Sequence, residues 1–207
     1  MTDLPPGART APAALRNREP ILEVFRRHAP AQGLVLEIAA GSGEHAVWMA
    51  GALPHLRWLP TDPDPGARAS IAAWREASGL ANLLPPLALD AAEDAPWSRD
   101  LGAVVCINMI HISPWSATEG LMAGAGRSLA GGGILFLYGP YLEAGGATAP
   151  SNLAFDADLR RRNPAWGLRR REEVVALAAR NGLDLVERVP MPANNLSLVF
   201  AKRSEAA

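Results

Sequence analysis

Three carboxylates and a pair of glycines are spaced so that together they could hold a nucleoside with a positive end. In "LVLEIAAGSGEHAVWMA", residues 34–50, Glu37 closes an apolar run, Ala39 and Ala40 follow, and Gly41-Ser42-Gly43 leads into an amphipathic pattern. Glycines between a strand and a helix let the backbone turn tightly and let a ligand approach with no Cβ in the way. Asp62 closes "LRWLPTD" and Asp90 closes "NLLPPLALD", so two more acids fall at the ends of the next two apolar runs. An acid at the end of the second run can accept both hydroxyls of a ribose, and one at the end of the third can take an adenine amino hydrogen. Either aspartate alone would more often be a helix cap or a turn residue. Three acids in succession beside a glycine turn point to a ligand.

Two ligand classes fit such a turn. The dinucleotide pattern G-x-G-x-x-G/A is met by Gly41, Gly43 and Ala46, with a pyrophosphate expected at the helix N-terminus. Glu44 enters the first helical turn and places negative charge where that dianion would lie. Glu37 could anchor an ammonium, which suits S-adenosylmethionine with its ammonium and sulfonium. An oxidoreductase reading is further disfavoured because no Tyr-x-x-x-Lys is present.

The elements that must position these residues alternate. "LVLEIA" reads as a buried strand and "EHAVWMAGAL" as the helix after it. "LRWLPTD" and "GARASIAAWREAS" repeat the unit, and "NLLPPLALD" is a weaker third strand because Pro85 and Pro86 confine it to an edge or loop. "LGAVVCINMI" is the fourth strand, "ATEGLMAGAGRSL" a helix stopped by Gly131-Gly132-Gly133, and "ILFLYGP" the fifth strand. Residues 140–166 read as an ordered loop or short cap. "REEVVALAARNG" is a helix, and "LDLVERVPM" and "NLSLVFAKR" close the chain as a hairpin around "PANN". Ahead of all this, Ile21, Leu22, Val24 and Phe25 give "NREPILEVFRRHA" one apolar face, with Pro20 in its first turn. Residues 1–14, rich in Pro, Ala and Gly, read as a mobile arm. Alternation implies a parallel sheet with helices on both faces, and the short final link makes the last strand antiparallel. With 207 residues, a single domain over 1–207 is expected.

"LEIAAGSGEHAVWMA", "TDPDP", "CINMIHISPWSATEGLMAGAGR", "FLYGPY", "SNLAFDADLRRRNPAWGLR" and "MPANNLSLVF" resemble the methyltransferase-like protein 26 family over nearly the whole chain from "APAALRNREPIL" onward. The resemblance implies an α/β, Rossmann-like class I methyltransferase fold. Its sheet would have seven strands, mostly parallel with the last antiparallel, and would bind S-adenosyl-L-methionine. Class I enzymes carry glycine where this chain has Ala39. The resemblance also implies that Asn108 and Met109, at the end of the fourth strand, line the methionine moiety and the methyl group.

His111 lies just beyond, where its ordinary pKa of ~6.5 suits a general base, although a loop histidine alone is ordinarily a structural group. Tyr138 is a second catalytic candidate, and Tyr141 flanks the same strand end. Asn152 and Asp156 in the insertion, Asn194 and Asn195 in the hairpin, and Asn17 and Arg18 before the first helix could meet an acceptor or close over the cofactor. Such asparagines also serve turns. His45 and Cys106 read as structural.

Composition narrows the classes. A net charge of −1 gives no overall pull toward nucleic acid or anionic lipid. Arginines at 160–162 and 169–171 form a local basic patch of six in twelve residues. Glu172 and Glu173 follow, no aromatic-basic alternation accompanies them, and "NMIH" stands where amine methyltransferases acting on nucleic acid carry N-P-P-Y. A salt-bridged face is therefore expected. Cys106 is the only cysteine, so neither an intrachain disulfide nor a cysteine zinc site is available, and no metal is expected. Neither a secretory signal nor a membrane-spanning run is visible, giving a cytoplasmic protein as the expectation. The reading that follows is an S-adenosylmethionine-dependent methyltransferase with a small polar acceptor. The alternative is a non-catalytic S-adenosylmethionine-binding regulatory module.

Overall fold

The structure, a computed structural model, describes residues 4–93, 97–145 and 148–204. Helix α1 (Pro12–Arg26) leads into β1 (Gly33–Ile38), α2 (Glu44–Ala52), β2 (Leu56–Pro60) and α3 (Pro65–Ser78). Then come β3 (Leu101–Ile107), α4 (Trp115–Ser128), β4 (Leu129–Gly139), the short β5 (Tyr141–Leu142) and α5 (Pro150–Arg162). The short β6 (Arg169–Arg170), α6 (Arg171–Arg180), β7 (Leu183–Met191) and β8 (Asn195–Lys202) complete the chain. The main sheet runs β2-β1-β3-β4-β8-β7. β1, β2, β3 and β4 pair in parallel, and β8 is antiparallel to both of its neighbours.

Side chains alternate across the sheet with period two, which splits the core into two layers. Val35, Ala103, Val105, Ile134 and Phe136 face α1 and α2, while Leu36, Val104, Cys106, Leu135 and Leu137 face α4 and α6. Phe25 of α1 packs edge-on against Trp58 at 5.8 Å and Phe136 at 5.6 Å, which fixes α1 over the middle of the sheet.

Four expectations are corrected. The main sheet has six strands, not seven, with β5 and β6 forming a separate two-stranded sheet. "NLLPPLALD" runs beside β2 but makes only isolated bridges, Trp58 with Leu83 and Thr61 with Leu87. Pro85 and Pro86, between those bridges, have no N–H to donate to a ladder. The insertion holds a full helix, α5, which has no apolar stripe to betray it; only Asn152 and Leu159 are buried. Helix α1 begins at Pro12, inside the segment read as an arm, and Pro20 lies within the helix and not in its first turn. Before it, Arg9 is tied down. Its N–H donates to Ser70 Oγ at 2.8 Å, its guanidinium meets Asp64 at 3.0 Å, and its carbonyl accepts the Trp74 indole N–H at 3.0 Å.

Candidate functional site

The glycine turn after β1 is built for contact on two sides. Gly43 has φ 90°, and a Cβ there would lie 2.9 Å from Ile71 Cα, so only glycine lets α2 and α3 approach this closely. Gly41 has φ 59° and open space where a Cβ would be. Opposite Gly41, a cavity of about 650 Å³ opens at the carboxyl ends of β1 and β3, well inside the size range of small-molecule sites. It is lined by Ala39, Gly41, Ser42, His45, Asp62, Asp90, Asn108 and Met109, with Ala11, Ala13 and Ala14 of the N-terminal segment and Trp166 as further walls.

Asp62 is the pivot of the cavity. It is buried, its Oδ2 accepts the Gly41 N–H at 2.9 Å, and its Oδ1 accepts the Asp64 N–H at 2.9 Å. A carboxylate offers about four acceptor sites, so each oxygen retains one for a ligand donor. Two adjacent hydroxyls match that pattern. Asp90 Oδ1 accepts the Ala92 N–H at 2.9 Å and stands further along the same cavity.

Two non-glycine residues on the lining, Ala39 (φ 54°) and Asn108 (φ 60°), are left-handed. That conformation costs an L-residue about 1–2 kcal/mol, and such strain gathers where a backbone must meet a ligand. Ala39 occupies the position whose usual glycine would adopt this φ freely.

Glu37 is engaged by a donor from β2. It is 1% exposed, is not on the lining of the cavity, and its Oε2 accepts the Trp58 indole N–H at 2.6 Å. Burial raises its carboxyl to about 7. Glu44, at the start of α2, accepts the Ala11 N–H and the Ser42 hydroxyl and so holds the N-terminal segment against the turn.

The acceptor-side candidates fall into three groups. Tyr141, Asn152, Asn194 and Asn195 line one smaller cavity of about 250 Å³, together with Glu143, Thr148 and Arg188. There Asn152 Nδ2 donates to Asn194 O at 3.0 Å, and Ala193 and Asn194, both at φ 57°, make the hairpin turn. Tyr138 lines neither cavity; on β4 it pairs with Ile107 of β3 on one side and with Ser197 of β8 on the other.

His111 and Arg18 make up the third group and line neither cavity. His111 is buried in a short turn, edge-on to Phe155 at 5.7 Å, and burial with Arg169 nearby lowers it to about 4. Arg18 stacks 3.9 Å over the Trp48 ring on the outer side of α2. In each case the side chain packs on a ring distant in sequence, Phe155 for His111 and Trp48 for Arg18.

One residue set aside as structural does reach the larger cavity. His45 lines it, with Nε2 2.8 Å from Asn17 Oδ1. Its position two residues after Gly43 was the available signal. Trp166 and the alanines of the N-terminal segment had no signal, because nothing local places them.

Five of the six clustered arginines make ion pairs or backbone hydrogen bonds. Arg160 pairs with Asp156, Arg161 and Arg162 with Asp158, and Arg171 with Glu143 and Glu172. Arg169 donates to the carbonyls of Ile110, Ser113 and Ala165. Among the described residues, no group of three His, Cys, Asp or Glu side chains is placed to hold a metal, and no helix is long and apolar enough to cross a membrane.

This sheet, with its antiparallel β8 and a cavity at the strand ends, is the class I methyltransferase fold. An O-methyltransferase family protein from Burkholderia thailandensis superposes with TM-score 0.78 at 15% identity, over 94% of this chain and 58% of that one. An O-methyltransferase family 2 protein from Planctomyces limnophilus gives 0.76 at 20%, over 92% and 59%. The pyocyanin biosynthetic protein PhzM gives 0.73 at 19%, over 91% and 56%. The chain thus spans just over half the length of these proteins. It belongs to the family described as "Protein of unknown function (DUF938)", which it matches over residues 8–202.

Proposed function

We propose that the protein is an S-adenosylmethionine-dependent methyltransferase acting on a small polar acceptor. The observation that carries this reading is Asp62, a buried carboxylate tied to the glycine turn with one acceptor site left on each oxygen. The ribose hydroxyls would take those sites, the adenine would lie toward Asp90 and Leu89, and Asn108 and Met109 would flank the methionine end. Bound there, S-adenosylmethionine supplies an electrophilic methyl group on a positively charged sulfur. The chain's own work is to orient the acceptor and exclude water. Tyr141, Asn152, Asn194 and Asn195 would hold the acceptor in the smaller cavity. The relation to proteins described as methyltransferases supports the reaction class. The resemblance to the methyltransferase-like protein 26 family supports it further.

A regulatory module that binds S-adenosylmethionine without turnover would share Asp62 and Asp90. The smaller polar cavity favours the enzyme, because a module has no need of it. A nucleic-acid acceptor is disfavoured, because five of the six clustered arginines are engaged in ion pairs or bound to backbone carbonyls. The test is transfer of a labelled methyl group from S-adenosylmethionine to a panel of small hydroxyl, thiol and amine compounds. Transfer that is lost in Asn152→Ala supports the enzyme, and cofactor binding with no transfer to any compound favours the module.

A further inference from the structure

A further cavity, of about 680 Å³, lies between the N-terminal segment, α1, α2 and α3, and shares no lining residue with the cofactor cavity. Much of its wall is apolar: Leu15 of α1, which is 56% exposed, Trp48 of α2, Trp74 of α3 and Leu80. The Trp74 indole is fixed by the hydrogen bond it gives to the Arg9 carbonyl at 3.0 Å. Two charged side chains stand on the lining, Arg18 and Glu44. Glu44 is already engaged, because it accepts the Ala11 N–H and the Ser42 hydroxyl.

Arg18 has no such partner. Its guanidinium lies 3.9 Å over the Trp48 ring and makes no hydrogen bond or ion pair with any described residue. Among the described residues, only two buried side-chain N–H groups lack a hydrogen-bond partner, and they are Arg18 Nε and the Trp48 indole Nε1. Folded proteins rarely leave buried donors unpaired, and here both belong to one stacked pair on one cavity. Stacking also holds the planar guanidinium in a fixed plane, ready for a two-pronged partner.

We propose that this cavity is a second ligand site, which binds a monoanionic aromatic acid. The carboxylate would meet the Arg18 and Trp48 pair, and the ring would lie against Leu15, Trp74 and Leu80. A carboxylate brings acceptors and no donors, and its two oxygens match the arginine fork. An uncharged ring would leave the donors as they are, and a cation would face Arg18. A dianion such as a phosphate monoester is disfavoured by the Glu44 charge on the same lining. The site is independent of the methyltransferase reading, since none of its residues belongs to the cofactor cavity or to the smaller one.

The test is proton–nitrogen-15 NMR of the whole chain with labelled tryptophan, the indole signals of Trp48 and Trp166 being assigned by their loss in Trp48→Phe and Trp166→Phe. Naphthoate is expected to move the Trp48 signal saturably, with S-adenosylhomocysteine present in excess as well as without it. Naphthol and naphthyl phosphate should bind at least about tenfold more weakly, the effect of one charge-assisted hydrogen bond. Arg18→Gln should bring naphthoate down to the affinity of naphthol. The comparison of acid with alcohol needs no variant, so it stands whether or not Arg18→Gln folds. Equal affinity for naphthol, tighter binding of naphthyl phosphate, or undiminished affinity in Arg18→Gln would overturn the ligand class. Absence of any naphthoate shift at Trp48, a shift at Trp166 alone, or displacement by S-adenosylhomocysteine would overturn the site. A Trp48 signal that already moves with protein concentration would assign this face to a second copy of the chain, and would overturn it too.

Discussion

Replacing Asp62 by alanine should have two separable consequences, because the carboxylate does two jobs. Without ligand, it accepts the N–H groups of Gly41 and Asp64, each at 2.9 Å. Hydrogen bonds to a charged group contribute about 1.5–3 kcal/mol each. Gly41 borders the cavity, so water recovers part of that loss in Asp62→Ala. A net destabilisation of about 2 kcal/mol follows, equivalent to a fall in Tm of about 4–8 °C for a chain of this size. With ligand, the two remaining acceptor sites also vanish. Losing a ribose's partners costs about 1–3 kcal/mol, which weakens S-adenosylmethionine binding about 5- to 150-fold. Thermal unfolding without ligand reads the first effect, and calorimetric titration below the lowered Tm reads the second. A lowered Tm with unchanged affinity would make Asp62 a tie for the glycine turn and nothing more. An unchanged Tm would refute the hydrogen-bond geometry itself.

Other consequences are as direct. Ala39→Gly removes a left-handed strain of about 1–2 kcal/mol and returns about 0.4–1 kcal/mol through the freer unfolded chain. The urea midpoint should therefore rise by the equivalent of about 0.5–1 kcal/mol, and a lower midpoint would contradict the strain. Glu37 holds its proton up to about 7 when folded, against 4.5 ordinarily. The folded state thus binds more protons between those values, and this group makes stability fall as pH rises through them. Glu37→Gln removes that slope, so its advantage over wild type in urea unfolding should grow from pH 4.5 to 7; a constant difference would be incompatible with the burial argument. His45 and His111, both lowered from 6.5 to about 4, act in the opposite sense, so stability should fall as pH drops from 6.5 to 4. In His45→Gln/His111→Gln that fall should be shallower, and an unchanged slope would mean that the rings charge freely in the fold.

How legible all this was depended on the range over which each feature is decided. The glycine turn, Asp62 and the alternation of strand and helix are local patterns, and the fold follows from them. Pro85 and Pro86 already warned of the missing strand, since a residue without an N–H cannot extend a ladder. Helix α5 carried no such signal, because Leu153 and Phe155 stay exposed and only two of its residues are buried. The fate of Glu37 was set by an indole from β2, and that of His45 by an amide from α1. Neither contact has a sequence signature, because each depends on how α1 and β2 pack around β1.

The central claim is that the cavity beside Gly41 and Asp62 holds a nucleoside with a positive end. Titration calorimetry of the whole chain with S-adenosylmethionine, S-adenosylhomocysteine and NAD tests it most directly. The account predicts binding of the first two and none of NAD, because Glu44 stands at the helix start where a pyrophosphate would be held. Binding of NAD alone, or of none of the three, would contradict it.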